Sequence, residues 1–284
     1  MKNVASIRDS VAKAYAKAIG KAAPSCCGIS ACCGTKPRQG EPHATMAGYG
    51  QAEVHSHPEA AATSFGCGNP LAFSGVKKGD TVLDLGSGAG FDLLIAGEKV
   101  GPKGRVIGID MTDEMIARAR KNITKAGARN IEIRKGIIEE MPVAANSVDW
   151  VISNCVINLS PEKDKVFTEI HRVLKPGGRM LVSDIVVSEL PPKLRELESL
   201  YNSCVAGAIS EEEYISGLAR AGLVDIKVTE RMVYEADQIR PIFAADQAPL
   251  SELSAALSPA EAETLINQSA GKVWSAKFSA GKPA

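Results

Sequence analysis

The stretch Thr81-Val82-Leu83-Asp84-Leu85-Gly86-Ser87-Gly88-Ala89-Gly90-Phe91 decides the fold. A mostly apolar run, Thr81 to Leu85, reads as a buried strand. It enters a glycine-rich turn and continues into a helical pattern from Phe91 to Val100. That strand, loop and helix context is what a nucleotide-binding glycine loop requires. The glycines let the backbone turn sharply and let a ligand approach without meeting a Cβ, while the helix behind presents unpaired N–H groups. A second mark agrees with the first. The next apolar strand, Arg105 to Asp110, closes on an acidic residue about twenty positions after Gly90, where a carboxylate can accept hydrogen bonds from two ribose hydroxyls. Chance glycines in a tight turn do not explain both marks, and the serious rival for the ligand is a nicotinamide dinucleotide.

Working outward, strand and helix keep alternating. A helix over Thr112 to Gly127, strands Ile131 to Lys135 and Val148 to Ser153, a helix Pro161 to Leu174 and a strand Arg179 to Val187 follow in turn. Helices near 193–206 and 211–221 come next. Right-handed crossovers between such elements build an α/β fold with a doubly wound, mostly parallel sheet. Asp225 to Tyr234 alternates as a strand and Val273 to Ser279 is a candidate for one more. Between them Ala236 to Gly271 reads as polar loop plus a short helix capped at Ser258-Pro259-Ala260-Glu261. Upstream, Val4, Ile7, Val11, Tyr15 and Ile19 are spaced as one amphipathic helix over residues 3–19. From Pro24 to about Ala62 the composition turns to glycine, proline, serine, cysteine and histidine without periodicity, which reads as a long loop. The expected organisation is an N-terminal helix and Cys/Gly-rich loop over 1–64, a core over 65–235, and a C-terminal extension over 236–284 able to complete the sheet.

Charge narrows the function classes. Lysine plus arginine equal aspartate plus glutamate, 33 against 33, so the formal net charge is zero and no basic field attracts nucleic acid or an anionic membrane. No apolar run reaches the ~18 to 20 residues of a membrane span, and the N-terminus does not read as a signal peptide. A cytoplasmic monomer acting on a small molecule is expected. Seven cysteines in such a chain argue for reduced, reactive or ligand thiols rather than a disulfide framework. The adjacent pairs Cys26-Cys27 and Cys32-Cys33 admit zinc as an alternative, although usual zinc spacing separates the cysteines. A single cysteine such as Cys204 also admits the role of a small buried hydrophobe. His55 and His57 alternate as a metal pair does, although on a polar loop such residues are more often plain surface residues.

The glycine pattern is G-x-G-x-G with an acidic residue two before it, and Val173-Leu174-Lys175-Pro176-Gly177-Gly178-Arg179 precedes the fifth strand. Both features resemble class I S-adenosylmethionine methyltransferases, over roughly residues 65–235. The resemblance implies a seven-stranded, Rossmann-like sheet ending in an antiparallel hairpin. It further implies that Asp84, Gly86, Ser87, Gly88 and Gly90 lie near the methionine end of the cofactor, Asp110 at the ribose and Met111 against the adenine. Ile138 and Glu139 belong to the same cofactor set, and Asn154, ending the fourth strand, faces the sulfonium.

Four features narrow the resemblance: Phe65-Gly66-Cys67-Gly68-Asn69-Pro70, Ser153-Asn154-Cys155-Val156-Ile157-Asn158-Leu159, Cys204, and the paired N-terminal cysteines. Together they resemble arsenite S-adenosylmethionine methyltransferases. The resemblance implies that Cys155 and Cys204 are thiolates holding As(III), that Cys67 is the third ligand or a reductant thiol, and that Cys32 or Cys33 is its disulfide partner. Arsenite and methylarsenite are then the substrates, with thioredoxin or glutathione resetting the thiols. Soft thiolates select soft, thiophilic ions, and Cys155 follows a strand's carboxyl end, where open α/β sheets bind ligands. Ile137 stands where the family tends to have an acidic residue, and Phe65 where it tends to have tyrosine. Two other functions remain open: methyl transfer to a small organic acceptor, which leaves Cys67, Cys155 and Cys204 unexplained, and thiol-based arsenic sequestration, which leaves the glycine loop and Asp110 unexplained.

Overall fold

The computed structural model describes residues 3–20, 49–64, 68–72, 74–244 and 257–284. The strands are β1 Thr81–Leu85, β2 Arg105–Asp110, β3 Ile131–Lys135, β4 Val148–Asn154, β5 Leu174–Val187, β6 Val224–Val233 and β7 Val273–Gly281. They form one sheet in the order β3-β2-β1-β4-β5-β7-β6. β1 to β5 run parallel, and β7 lies antiparallel to both β5 and β6. The strand order reverses between β1 and β4, and an open α/β sheet binds ligands outside the carboxyl ends of its strands at such a switch point. The expected seven-stranded class I methyltransferase topology is therefore present, with an N-terminal helix beside it.

The helices are α1 Val4–Gly20, α2 Gln51–Ser56, α3 Pro58–Ala61, α4 Phe91–Val100, α5 Asp113–Ala126, α6 Lys163–Val173, α7 Pro192–Arg195, α8 Glu198–Asn202, α9 Glu211–Arg220, α10 Ala236–Ala244 and α11 Pro259–Ser269. β1 is buried from Val82 to Leu85, which is why it reads as a continuous apolar run. One face of the sheet packs under α6 and α9 through Phe167, Tyr214 and Phe278, with the Tyr214 and Phe278 rings stacked at 4.1 Å. α4 packs on the other face with Leu93, Leu94 and Val100.

The segment expected to be polar loop from Ala236 begins with the helix α10, and four further local differences separate the structure from the sequence reading. The stretch expected to be loop contains α2 and α3, each too short to show a period, and Val54, Ala60 and Ala61 hold them on the α4 side of the core. Thr112 is the N-cap of α5 rather than its first turn. The helix expected from Pro161 starts at Lys163 after the 3-10 turn Ile157–Leu159. The helix expected near 193–206 is two short pieces, and Cys204 follows them in a turn with φ 65°.

Candidate cofactor and thiol site

β1 delivers Asp84 to the switch point, and the loop Gly86 to Gly90 turns the chain into α4. Gly86 has φ 62°, and a Cβ there would fall 2.5 Å from Cγ1 of Val156, so neither its backbone nor its surroundings admit a side chain. Gly90, at φ 86°, is the N-cap of α4. β2 ends on Asp110, whose carboxylate accepts from the Gly88 N–H at 2.9 Å and the Thr112 N–H at 2.8 Å. Burial raises its pKa, and these backbone donors oppose the rise. Asp110 is thereby fixed at the junction of two recesses. One, of about 770 Å³ and open to solvent, is lined by Asp84, Gly86 to Ala89, Asp92, Asn154 and Cys155. The other, of about 390 Å³, is lined by Ile137, Ile138 and Glu139, and Asp110, Met111, Val156 and Leu159 border both. A carboxylate between a recess that holds two further carboxylates, Asp84 and Asp92, and a nearly wholly apolar one fits a ligand whose sugar joins a charged arm to a flat ring, as in S-adenosylmethionine.

The structure brings together Asp84, Gly86, Ser87, Gly88, Asp110, Met111, Asn154 and Cys155 in the first recess, and Ile138 and Glu139 in the second. Gly90 shapes the loop without lining either recess. The Glu139 carboxylate is engaged, accepting from Ser160 Oγ at 2.6 Å and Arg8 Nε at 3.2 Å. Arg8 also pairs with Glu162 at 2.7 Å.

Cys155 lies at the carboxyl end of β4, 7% exposed, and its N–H donates to the Ser183 carbonyl at 2.8 Å. It is disulfide-bonded, with its partner outside the described residues. Cys204 is 2% exposed, and its thiol donates to the Cys155 carbonyl oxygen at 2.8 Å. Cys155 therefore faces the cavity and Cys204 sits directly behind it. Both have positive φ, 58° and 65°. Beneath them Asp184 accepts from the Asn158 backbone N–H at 3.2 Å and side-chain amide at 2.8 Å, which anchors the turn after Cys155. Burial pushes the Asp184 carboxyl up to about 7, and burial first lowers Lys163 to about 8, its ammonium donating to the Asn158 and Ser160 carbonyls. Cys26, Cys27, Cys32, Cys33, Phe65 and Cys67 lie outside the described residues.

Several lining residues escaped the sequence reading. Asp92 in the first turn of α4 accepts from the Tyr49 hydroxyl at 2.6 Å, and the Asn154 amide donates to the same Tyr49 oxygen at 3.1 Å. Arg8, Val11 and Tyr15 come from α1. Asn154 also exchanges hydrogen bonds with Gly68, stapling that segment to the end of β4.

The fold, the glycine loop and the acidic β2 terminus define a class I methyltransferase. The chain belongs to the methyltransferase-domain family, which it matches over residues 76–238. Within that family it is similar to arsenite methyltransferases. It is 46% identical over 185 residues to the Halobacterium salinarum arsenite methyltransferase, covering 65% of this chain and 47% of that protein. It is 40% identical over 167 residues to the Homo sapiens arsenite methyltransferase, covering 55% and 44%. The chain thus spans about half the length of the curated relatives it matches. An arsenic(III) S-adenosylmethionine methyltransferase structure from Chlamydomonas reinhardtii superposes with a TM-score of 0.62 at 30% identity, covering 82% of this chain and 73% of that one. Among the described residues no helix is long and apolar enough to cross a membrane.

Proposed function

We infer that the protein transfers a methyl group from S-adenosylmethionine to trivalent arsenic held on its own cysteine thiolates, giving methylarsenite and then dimethylated species. The observation that carries this reading is the placement of Cys155, backed by Cys204, in the same cavity as the Asp84 to Gly88 loop and Asp110. Bound there, the cofactor supplies an electrophilic methyl group on a sulfonium centre.

The chain's residues do the positioning. Asp110 receives the ribose hydroxyls, the bare backbone at Gly88, where an added Cβ would meet nothing within 4 Å, admits the cofactor's amino-acid arm, and the slot of Met111, Ile138 and Leu159 takes the adenine. Once its disulfide is reduced, Cys155, with Cys204 behind it, presents the arsenic substrate at the end of β4. Trivalent arsenic on thiolates keeps a lone pair, so it attacks the methyl carbon without any residue removing a proton, and catalysis rests on in-line placement of the two partners. Methyl transfer raises arsenic to the pentavalent state. A thiol pair closing to a disulfide returns two electrons to it, and an external thiol, thioredoxin or glutathione, reopens the disulfide. Resemblance to the arsenite methyltransferases supports Cys67 as third ligand or reductant thiol and Cys32 or Cys33 as its partner.

Arsenic speciation after incubating reduced protein with arsenite, S-adenosylmethionine and a thiol reductant tests the reading. Methylated arsenic from the wild type and none from Cys155→Ser is expected. No methylated arsenic from the wild type, with cofactor binding intact, would sink it and leave an organic acceptor to be found.

A further inference from the structure

Two turns meet at the thiols, and the first is held at both ends by consecutive residues of β5. Cys155 gives its N–H to the Ser183 carbonyl at 2.8 Å, and three residues on the Asn158 N–H donates to Asp184 Oδ2 at 3.2 Å. The Asn158 side chain adds two bonds, from Nδ2 to Asp184 Oδ1 at 2.8 Å and to the Ile185 carbonyl. Both neighbours of that nitrogen are acceptors, so the amide can point only one way. Its own Oδ1, fully buried, accepts no hydrogen bond among the described residues. A buried acceptor left unpaired is destabilising, so it is the two donors that the site requires at this position.

The second turn, residues 201–208, rests on the carbonyls of the first. The Cys204 thiol donates to the Cys155 carbonyl at 2.8 Å, and the Tyr201 hydroxyl donates to that of Leu159 at 3.3 Å. Gly207 packs on the Asn158 carbonyl so closely that a Cβ there would fall 2.3 Å from its oxygen. The Lys163 ammonium donates to the same oxygen at 3.2 Å and to the Ser160 carbonyl at 2.9 Å. Asn158 is thus the residue through which both thiol-bearing turns are tied to one strand.

We propose that Asn158, clamped by Asp184, is a positioning residue that fixes where Cys204 stands relative to Cys155, so that both sulfurs grip one trivalent arsenic centre. The proposal rests on the arsenic-thiolate reading of the site. Methylarsenite is the simplest case. Each of its two As–O bonds breaks as an As–S bond forms, and each thiol proton leaves with the departing hydroxide as water. Arsenic stays trivalent, and no oxidant or reductant takes part. The second bond closes a ring, so its strength depends on where the second sulfur already stands.

The test uses the full chain with Cys26, Cys27, Cys32, Cys33 and Cys67 replaced by serine, which leaves Cys155 and Cys204 as its sole thiols. Equilibrium dialysis of this reduced parent against methylarsenite, without cofactor, reads the grip. Cys204→Ser on the same parent allows one bond and should bind about 100-fold more weakly. Asn158→Asp keeps the size of the side chain but sets two carboxyl groups against each other. Gly207→Ala drives the turns apart without removing a polar group, and it keeps the test open where Asn158→Asp does not fold. Each should lose at least about tenfold in affinity. The rate at which iodoacetamide alkylates Cys155, which reads one thiol at a time, should stay close to the parent's, as should the thermal transition. Parent-like affinity in either folded variant, or alkylation that rises in step with the lost affinity, would overturn the proposal while leaving the arsenic reading standing. Parent-like affinity in Cys204→Ser would overturn both.

Discussion

Cys155 and Cys204 sit at φ 58° and 65°, in the left-handed region where Asn146 and Asp225 also lie. Asparagine and aspartate are ordinary occupants there, but cysteine has no short amide or carboxyl to compensate, and such backbone costs of order 1–3 kcal/mol. The cost falls at the two thiols on which the proposed chemistry depends, so the strain is tied to placing sulfur at that spot. Glycine is free of the penalty, which gives a test at Cys204. At an ordinary buried site an Ala to Gly change loses a methyl worth about 0.8 kcal/mol. Here relief of the left-handed strain should offset that loss, so Cys204→Gly is expected to be at least as stable as Cys204→Ala in denaturant unfolding, and neither should methylate arsenic. If the glycine variant is weaker by the full value of the methyl, the backbone at 204 is not strained.

Among the elements, β3 is one of the two sheet edges, and its outward charges carry the clearest acid sensitivity. Glu132 accepts from Arg134 Nε at 2.8 Å and also from Arg105 of β2, and these two guanidinium groups hold its carboxyl down to about 2. Because the folded value lies below the ordinary one, its contribution is present above about pH 4.5 and is lost as pH falls toward 2. The Glu132 side chain is 41% exposed, and solvent screening keeps its worth below about 1 kcal/mol. Glu132→Gln should therefore lose less than that at neutral pH, and the difference from wild type should vanish during acid titration followed by circular dichroism. A difference that persists at pH 2 would mean the loss is not electrostatic. The same elements show what a sequence conveys. β1 and β2 are legible because burial on both faces leaves continuous apolar runs, and Asp110 is legible because it ends one of them. The place of β7 between β5 and β6 is not, since periodicity marks a strand but not its neighbours. Asp92 reads as an ordinary acidic residue in a helix's first turn, and only the tertiary approach of Tyr49 and Asn154 reveals it as part of the cavity. Arg8 is a polar position on an amphipathic helix until Glu139 and Glu162 meet it.

For the whole molecule, the two chain ends differ in what they support. β7 pairs along nine positions with β5 and buries Val273, Ala276, Phe278 and Ala280, so it completes the sheet from within. Truncation before Val273 removes the strand joining β6 to the rest and exposes apolar surface comparable to the 5–15 kcal/mol that holds a domain together. Such a chain should not yield folded protein, and a cooperative thermal transition from it would be contrary evidence. α1 contributes no strand. Its Ile19 packs against Ala89 of the glycine loop and Met115 of α5, its Val11 and Tyr15 wall the first recess, and its Arg8 bonds Glu139 in the second. Those contacts close over the cleft rather than build the sheet beneath it. Deleting residues 1–20 should therefore leave a cooperatively folding core with a modestly lower melting temperature, yet weaken S-adenosylmethionine binding. Losing the burial of even one large apolar side chain against the ligand is worth about 1.5 kcal/mol, or roughly tenfold in affinity. Arg8→Ala should reproduce a smaller part of that loss by freeing Glu139 beside the adenine slot. Calorimetry on the three proteins separates the alternatives: unchanged affinity in the deletion would make α1 a bystander to the cleft, and loss of the folding transition would make it part of the core.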